Sequence, residues 1–343
     1  MKAAILRAGR MVVDQIDNPI PGPGQVLVRT IACGICGSDL HTVGHAHDLV
    51  ATAKAANGDL FDFDPDQDLV MGHELAVEVL ALGKGVQGVS EGHSYAAMPF
   101  VATPQGRRVP GYDNHYPGGY AEQMLLSPHA LLRVPNGLEP KLAALTEPMA
   151  VGLHAVNRSS VSPNQAAIVV GAGPVGLAIV GALSAMGAGP IIAADFSPTR
   201  RQVALSMGAD CAIDPTETSV FDRWSELASG ADTPVVFEAV GVPGMIDQIM
   251  TEAPPHSEIV VVGVCMGVDS FRPTMGIYKH LRLTFVLGWS PEEFATSLAN
   301  LAEGRIDPSA LVTGQIGIDQ VPKTFEDLAD PELHVKILVC PDT

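Results

Sequence analysis

The sequence predicts an α/β chain of two domains: a β-rich domain assembled from both ends, and a doubly wound sheet of mostly parallel strands inserted into it. Three observations lead there. At Ala167 a continuous apolar strand runs into a glycine-rich turn and a helix, and strand–helix alternation then continues to Leu287. Ahead of that point the chain is a series of short strands punctuated by Gly and Pro. Near the C-terminus, Val335–Val339 is one more apolar strand, expected to rejoin the N-terminal domain. The predicted boundaries are 1–148 and 289–343 for the discontinuous domain and 149–288 for the inserted one.

Composition fits this division. A chain of 343 residues exceeds one typical core, and 47% hydrophobic against 17% charged residues leaves nothing to remain disordered. The formal net charge of −18 repels polyphosphate backbones, so no nucleic acid is expected as a partner. Met1-Lys2-Ala3-Ala4-Ile5-Leu6 lacks the features of a secretory leader, and the apolar runs are too short to cross a bilayer, so no membrane partner is expected. Five cysteines, odd in number and unevenly spaced, do not form a disulfide framework; a cytoplasmic location is expected.

The chain opens with a hairpin over 2–6 and 11–13, breaks at Pro19–Gly24, and enters the alternating strand Gln25–Ile31. A turn leading towards a short helix follows and carries Cys36-Gly37-Ser38-Asp39-Leu40-His41. Cys33 and Cys36 form Cys-x-x-Cys, but a zinc ribbon needs a second pair, and Cys211, Cys265 and Cys340 are isolated. Cys33 is read as buried filler. From 42 to 70 a long acidic loop is expected, holding His45, His47, Asp59, Asp62, Asp64, Asp66 and Asp68, and placed near the substrate mouth. Gly72-His73-Glu74 then leads into a half-buried strand, and Gln123–Leu126 is a further strand after Gly118-Gly119.

From Leu145 a helical period begins, with Glu147-Pro148 near its start. Ala167–Val170 is a strand of the fully buried, parallel type, followed by Gly171-Ala172-Gly173-Pro174-Val175-Gly176 and the helix Leu177–Met186. Strands are then expected at Pro190–Ala194, Cys211–Ile213, Pro234–Glu238, Glu258–Gly263 and Arg282–Leu287. Between them lie the helices Pro198–Met207, Val220–Ala228 and Met245–Met250, and the helix Pro291–Glu303 comes after the last strand.

Two chemistries follow. Strand, Gly-x-Gly-x-x-Gly and helix make a dinucleotide fingerprint: Gly171 permits the tight turn, Gly173 lets backbone approach the pyrophosphate, and Gly176 lets the helix pack on the sheet. The helix start at Pro174 and Val175 supplies amides to the phosphate, and Val240 lies just past a neighbouring strand. Asp195, nineteen residues past Gly176, would bind the ribose hydroxyls and repel a 2′-phosphate, whereas Arg200 and Arg201 favour one; the strand-end carboxylate decides for NAD over NADP. Elsewhere, a Cys36 thiolate, a His73 imidazole and a carboxylate from Glu74 or Glu147 suit an open zinc site. Zinc would stabilise an alkoxide, Ser38 and His41 would carry its proton away, and Asp39 would orient a ligand imidazole.

Taken in order, Gly34–His41, Gly72-His73-Glu74, Gly118–Glu122, Glu147-Pro148 and Gly171–Leu177 resemble the zinc-dependent medium-chain alcohol dehydrogenases, in particular the sorbitol and threonine dehydrogenase branch. That resemblance implies a GroES-like catalytic domain with a Rossmann domain, the active site in the cleft between them, and hydride transfer between NAD(H) and a small secondary alcohol or ketone. It implies Cys36, His73 and Glu74 as zinc ligands and Glu147 at a variable fourth position, with both glutamates exchanging with water. It also implies a homodimer or homotetramer paired through Arg282–Leu287. Two features depart from the family. Residues 91–117, where many members carry four cysteines around a structural zinc, hold no cysteine, so one zinc per chain is expected. The His41–His73 connection is about a dozen residues longer than is typical. Competing readings are a zinc-free, NADPH-linked quinone or enone reductase of the same fold, against which the potential metal ligands speak, and a non-catalytic cofactor-binding protein, against which the Ser38–His41 pair speaks.

Overall fold

The computed structural model describes every residue except 59, 229–232, 329, 331 and 343, so Asp59 of the acidic cluster lies outside the described residues. The chain divides into two compact units, Met1–Glu147 with Val312–Thr343, and Pro148–Leu311. The return to the first unit therefore comes at Val312 rather than at 289. The reason is packing: the helix Pro291–Ala302 buries Phe294, Leu298 and Leu301. Its Glu293 also binds His154 Nδ1 at 2.8 Å and Asn157 Nδ2 at 2.9 Å, both within the second unit.

In the first unit a seven-stranded sheet runs in the order Val312–Ile316, Lys336–Val339, Val26–Gly34, Glu74–Leu82, Ser94–Ala97, Leu131–Arg133. The seventh strand, Gln123–Leu126, pairs with the first half of Val26–Gly34. Val26–Gly34 alternates buried and half-buried positions until its last three residues, which are all buried. Its end therefore lies inside the unit, where a following turn can point side chains into an enclosed space. The closing strand pairs there too, with Leu338 opposite Gly34 and Val339 opposite Cys33.

Residues 42–70 are not one long loop. Gly37–Ala55 is a helix of 19 residues with a bend at His45, where φ is −137° and ψ 29°. Ala51, Ala53, Lys54 and Ala55 are strong helix formers, and Leu49 and Val50 bury against the core, so propensity and packing agree. Among the described residues of this segment, those after Ala55 form no helix or named strand until Glu74. Other elements absent from the sequence reading are short, among them helices Pro273–Lys279 and Val321–Asp327 and strands Leu131–Arg133 and Val312–Ile316.

The second unit holds six strands in the order Cys211–Ile213, Ile191–Ala194, Ala167–Val170, Val235–Glu238, Glu258–Val261, Arg282–Phe285, every neighbouring pair parallel. Chain order reverses between Ala167–Val170 and Val235–Glu238, and a ligand crevice forms beyond the carboxyl ends of strands at such a reversal. Four-residue strands buried on both faces explain the unbroken apolar runs of the sequence.

Candidate functional site

Cys36 stands at the start of the helix Gly37–Ala55, just past the buried end of Val26–Gly34. His73 and Glu74 enter from the adjacent strand, where Glu74 is opposite Gly34. A Cβ at Gly34 would fall 1.7 Å from Glu74 Oε2, so only glycine leaves room for the carboxylate. One ligand atom each from Cys36, His73 and Glu74 lies within 4.8 Å of the other two. That spread, and the mix of thiolate, imidazole and carboxylate, fit a zinc ion that keeps one position open. Glu147 is buried but is not part of this close trio; its negative charge is felt by Tyr112 and Lys336.

Asp39 is fully buried beside the trio. Its Oδ2 accepts from the Cys36 amide at 3.0 Å and from the Tyr120 hydroxyl at 2.7 Å. Its Oδ1 lies 3.4 Å from His73 Nδ1, an ion-pair distance at which Nδ1 makes no aligned hydrogen bond among the described residues, and 3.4 Å from the Tyr112 hydroxyl that donates to it. Burial pushes the Asp39 carboxyl up, but His73 and the donated hydrogen bonds hold it below the usual carboxylate range. Burial likewise pushes His73 down, yet the Asp39 charge beside it leaves its affinity for a proton well above normal. The same polarity serves a metal, since a carboxylate behind an imidazole raises its strength as a ligand.

On the first turn of the same helix, the Ser38 hydroxyl is 2.8 Å from the Tyr112 hydroxyl, and the Ser38 carbonyl is held by Thr42 Oγ1 at 2.8 Å. His41, three residues on, is half-buried and neighbours Ser38 along the helix face. Burial, then the charge of His45, lower its pKa. His45 and His47 are exposed and face Asp48 and Asp66 at 3.4 Å each, away from any convergent ligand set. Asp62 and Asp64, with Arg108 and His115, line an open polar cavity of about 700 Å³.

Sequence reasoning gave no role to three residues at this site: Tyr112, Lys336, and Tyr120 of the Gly118–Glu122 motif. Lys336, on the closing strand and 1% exposed, binds Glu74 through both carboxylate oxygens at 2.7 and 2.9 Å and donates to the Ile35 carbonyl at 2.9 Å. Burial pushes the ammonium pKa down, but Glu74 more than offsets it, so the lysine keeps its proton. A lysine inside an otherwise apolar strand, Val335–Val339, was the only signal available in the sequence.

In the second unit, Gly171 follows its strand with φ +93° and Gly173 caps the helix Pro174–Met186, which has Pro174 and Val175 in its first turn. A Cβ at Gly176 would fall 1.9 Å from the Gly171 carbonyl, and one at Gly171 would meet Val240 Cγ2 at 2.7 Å. Gly171, Gly176 and Val240 thus gather at the point of strand reversal. Asp195 accepts from the Ala172 amide at 2.8 Å and the Ser197 amide at 2.9 Å, one bond on each oxygen, leaving lone pairs for ribose hydroxyls. Arg200 lies 3.9 Å from Asp195, while Arg201 is occupied by two carbonyls and Asp214.

Comparison with known proteins gives a consistent picture. Residues 22–136 match the family described as alcohol dehydrogenase GroES-like domain, and residues 174–303 match the family described as zinc-binding dehydrogenase. The chain is 31% identical to (R,R)-butanediol dehydrogenase of Bacillus subtilis (strain 168), over 96% of each protein. It is 28% identical to L-threonine 3-dehydrogenase of Pyrococcus abyssi, over 91% of this chain and 90% of that one. The crystal structure of 2R,3R-butanediol dehydrogenase from Bacillus subtilis matches with a TM-score of 0.84 at 30% identity, over 99% of both chains.

Proposed function

The chain belongs to the zinc-type medium-chain alcohol dehydrogenase family, an oxidoreductase of secondary alcohols and ketones, and we propose that Cys36, His73 and Glu74 hold its one zinc and that NAD is its cofactor. The observation that carries this reading is the convergence of three unlike ligand atoms within 4.8 Å, from segments 37 residues apart. Glu147, buried nearby but outside that trio, would take the variable fourth position that the family resemblance implies. Zinc, when bound, acts as a Lewis acid that lowers the pKa of a coordinated alcohol. The nicotinamide, when bound, accepts the hydride from the alcohol carbon or returns it to the carbonyl.

The protein's own groups manage the proton and the geometry. Ser38 takes the alcohol proton and His41 passes it to solvent, its lowered pKa keeping it neutral and able to accept. Asp39 fixes the His73 ring, and Lys336 balances the negative charge of Glu74. Gly171, Gly173 and Gly176 open the space for a pyrophosphate at the amides of Pro174–Met186, Pro174 itself giving none. Asp195 binds the ribose hydroxyls, and its own contact with Arg200 draws that guanidinium away from a 2′-phosphate, which favours NAD.

The cysteine-free stretch 91–117 supports one zinc rather than two. Five cysteines without a disulfide between them fit a reducing cytoplasm. The edge strand Arg282–Phe285 and the residues just past it, with Phe285 64% and Leu287 70% exposed, are the surface through which a homodimer or homotetramer would form. The alternative of a zinc-free quinone or enone reductase has no use for the convergent trio and is set aside. Metal analysis together with a panel of secondary alcohols, each assayed with NAD and with NADP, tests the proposal. One zinc per chain and chelator-sensitive NAD reduction are expected; undiminished turnover in the metal-free protein would overturn it.

A further inference from the structure

A dinucleotide lies across a doubly wound sheet in two halves that meet where the strand order reverses. With Asp195, just past Ile191–Ala194, at the adenosine ribose, the nicotinamide half falls over the ends of Val235–Glu238 and Glu258–Val261. One buried residue ties those two ends together. Glu238 is 1% exposed, and its Oε1 accepts from the amides of Val240 at 2.7 Å and Gly241 at 2.8 Å. Its main-chain carbonyl accepts from Val262 at 2.9 Å and Gly263 at 3.0 Å, the residues just past the next strand. Its Oε2 takes no hydrogen bond among the described residues and lies beside Gly263, where a Cβ would come within 2.6 Å of it.

The turn held in this way touches both sides of the reversal. Ala239 donates to the Val170 carbonyl at 2.8 Å, and Val240 packs against Gly171 of the glycine fingerprint. Gly241, with φ +72°, passes so close to the following loop that a Cβ on it would meet the Val264 nitrogen at 2.7 Å. Glu238 is sealed in, whereas aliphatic side chains beside it stay open: Val240 is 37%, Val242 45% and Val264 43% exposed. Exposed apolar surface at the rim of a crevice is what the face of a ligand ring would cover. We infer that Glu238 is a positioning residue for the cofactor: it fixes the turn 239–241 from inside and so holds Val240 and Val264 as a shelf for the nicotinamide half, without touching the cofactor. The shelf is shaped before the dinucleotide arrives, so little binding energy goes into ordering the turn. The inference rests on the dehydrogenase reading and adds to it a residue outside the glycine fingerprint.

Glu238→Ala removes the acceptor, whereas Glu238→Gln keeps one carbonyl oxygen that both amides can share. Dissociation constants for NADH and for AMP, and the fluorescence of bound NADH, are read in the zinc-loaded protein. Glu238→Ala should weaken NADH binding about tenfold and lose part of the fluorescence gain on binding, while AMP, which needs only the adenosine half, binds as in the parent. Glu238→Gln should stay within about twofold of the parent for both ligands. Parental NADH affinity in Glu238→Ala, or a Glu238→Gln variant as weak as Glu238→Ala, would overturn the inference. A parallel loss of AMP affinity would overturn it too, since Glu238 would then support the whole sheet and not one half of the crevice. Failure of the underlying reading shows separately, as a parent protein that binds no NADH at all.

Discussion

Lys336→Met removes the positive end of a fully buried ion pair while keeping most of the side-chain stem. At 2.7 Å and an effective dielectric of about 20, the lost attraction is roughly 6 kcal/mol. The carboxylate left behind, 0% exposed, is stranded without water or counter-charge. Breaking one side of such a pair costs about 3–5 kcal/mol, a large share of the 5–15 kcal/mol that holds a typical domain. In urea, with a slope of about 1–3 kcal/mol per molar, the zinc-depleted variant should unfold at least about 1 M earlier than the parent. Zinc supplies positive charge to the same carboxylate, so the loss should shrink when the metal is bound. Glu74→Gln in the same background removes the stranded charge and should recover part of the loss. The pH dependence has a definite sign. Because the folded ammonium pKa is raised, the contribution of the pair is complete below the ordinary lysine value of about 10.4 and disappears only at pH above it. Urea titrations of both proteins with and without zinc, at pH 7 and pH 9, check all of this. A loss below about 1 kcal/mol, or one equal with and without zinc, would refute the reasoning.

Cys36→Ala should abolish zinc binding and turnover while leaving the NAD dissociation constant near the parental value, read by metal analysis and cofactor fluorescence. Gly176→Ala forces a methyl into the Gly171 carbonyl 1.9 Å away; cofactor affinity should drop beyond measurement, or the second unit should destabilise by about 3 kcal/mol or more, seen in binding and melting curves. Asp195→Ser should raise the NADP-to-NAD ratio of kcat/KM by about tenfold or more, since Arg200 loses the carboxylate that now faces it. For His41 the base is the neutral form, so activity falls as pH drops through its pKa, which lies below the ordinary value of about 6.5. His41→Ala should erase that acid limb from the kcat profile, and an unchanged profile would remove His41 from the proton path.

The parts legible in the sequence are those in which neighbours along the chain carry the physics. Ala167–Val170, Cys211–Ile213 and Gln123–Leu126 lie where apolar period and turn residues place them, to the residue. The parallel sheet follows because buried four-residue strands separated by helices admit few arrangements. A short helix was expected after Cys36, but its extension to Ala55 was missed because its apolar residues do not keep one clear face; Leu49 and Val50 bury together, and the bend at His45 interrupts the period. The return at Val312 was missed for another reason. Whether Pro291–Ala302 belongs with the strands before it or after it depends on Glu293 reaching His154, a contact 139 residues away.

By itself the sequence determined which side chains have the chemistry for a metal and a dinucleotide, because ligand type and glycine spacing are local properties of Cys36, His73, Glu74 and Gly171–Gly176. Only the tertiary structure decided which of them meet and what surrounds them. It gathered Cys36, His73 and Glu74 within 4.8 Å and kept Glu147 outside that close set. It also brought Tyr112, Tyr120 and Lys336 to the same place from 73, 81 and 262 residues away. A hydroxyl or an ammonium takes on a role only through the groups within hydrogen-bond reach of it. Folding sets that distance, and residue order along the chain carries almost no record of it.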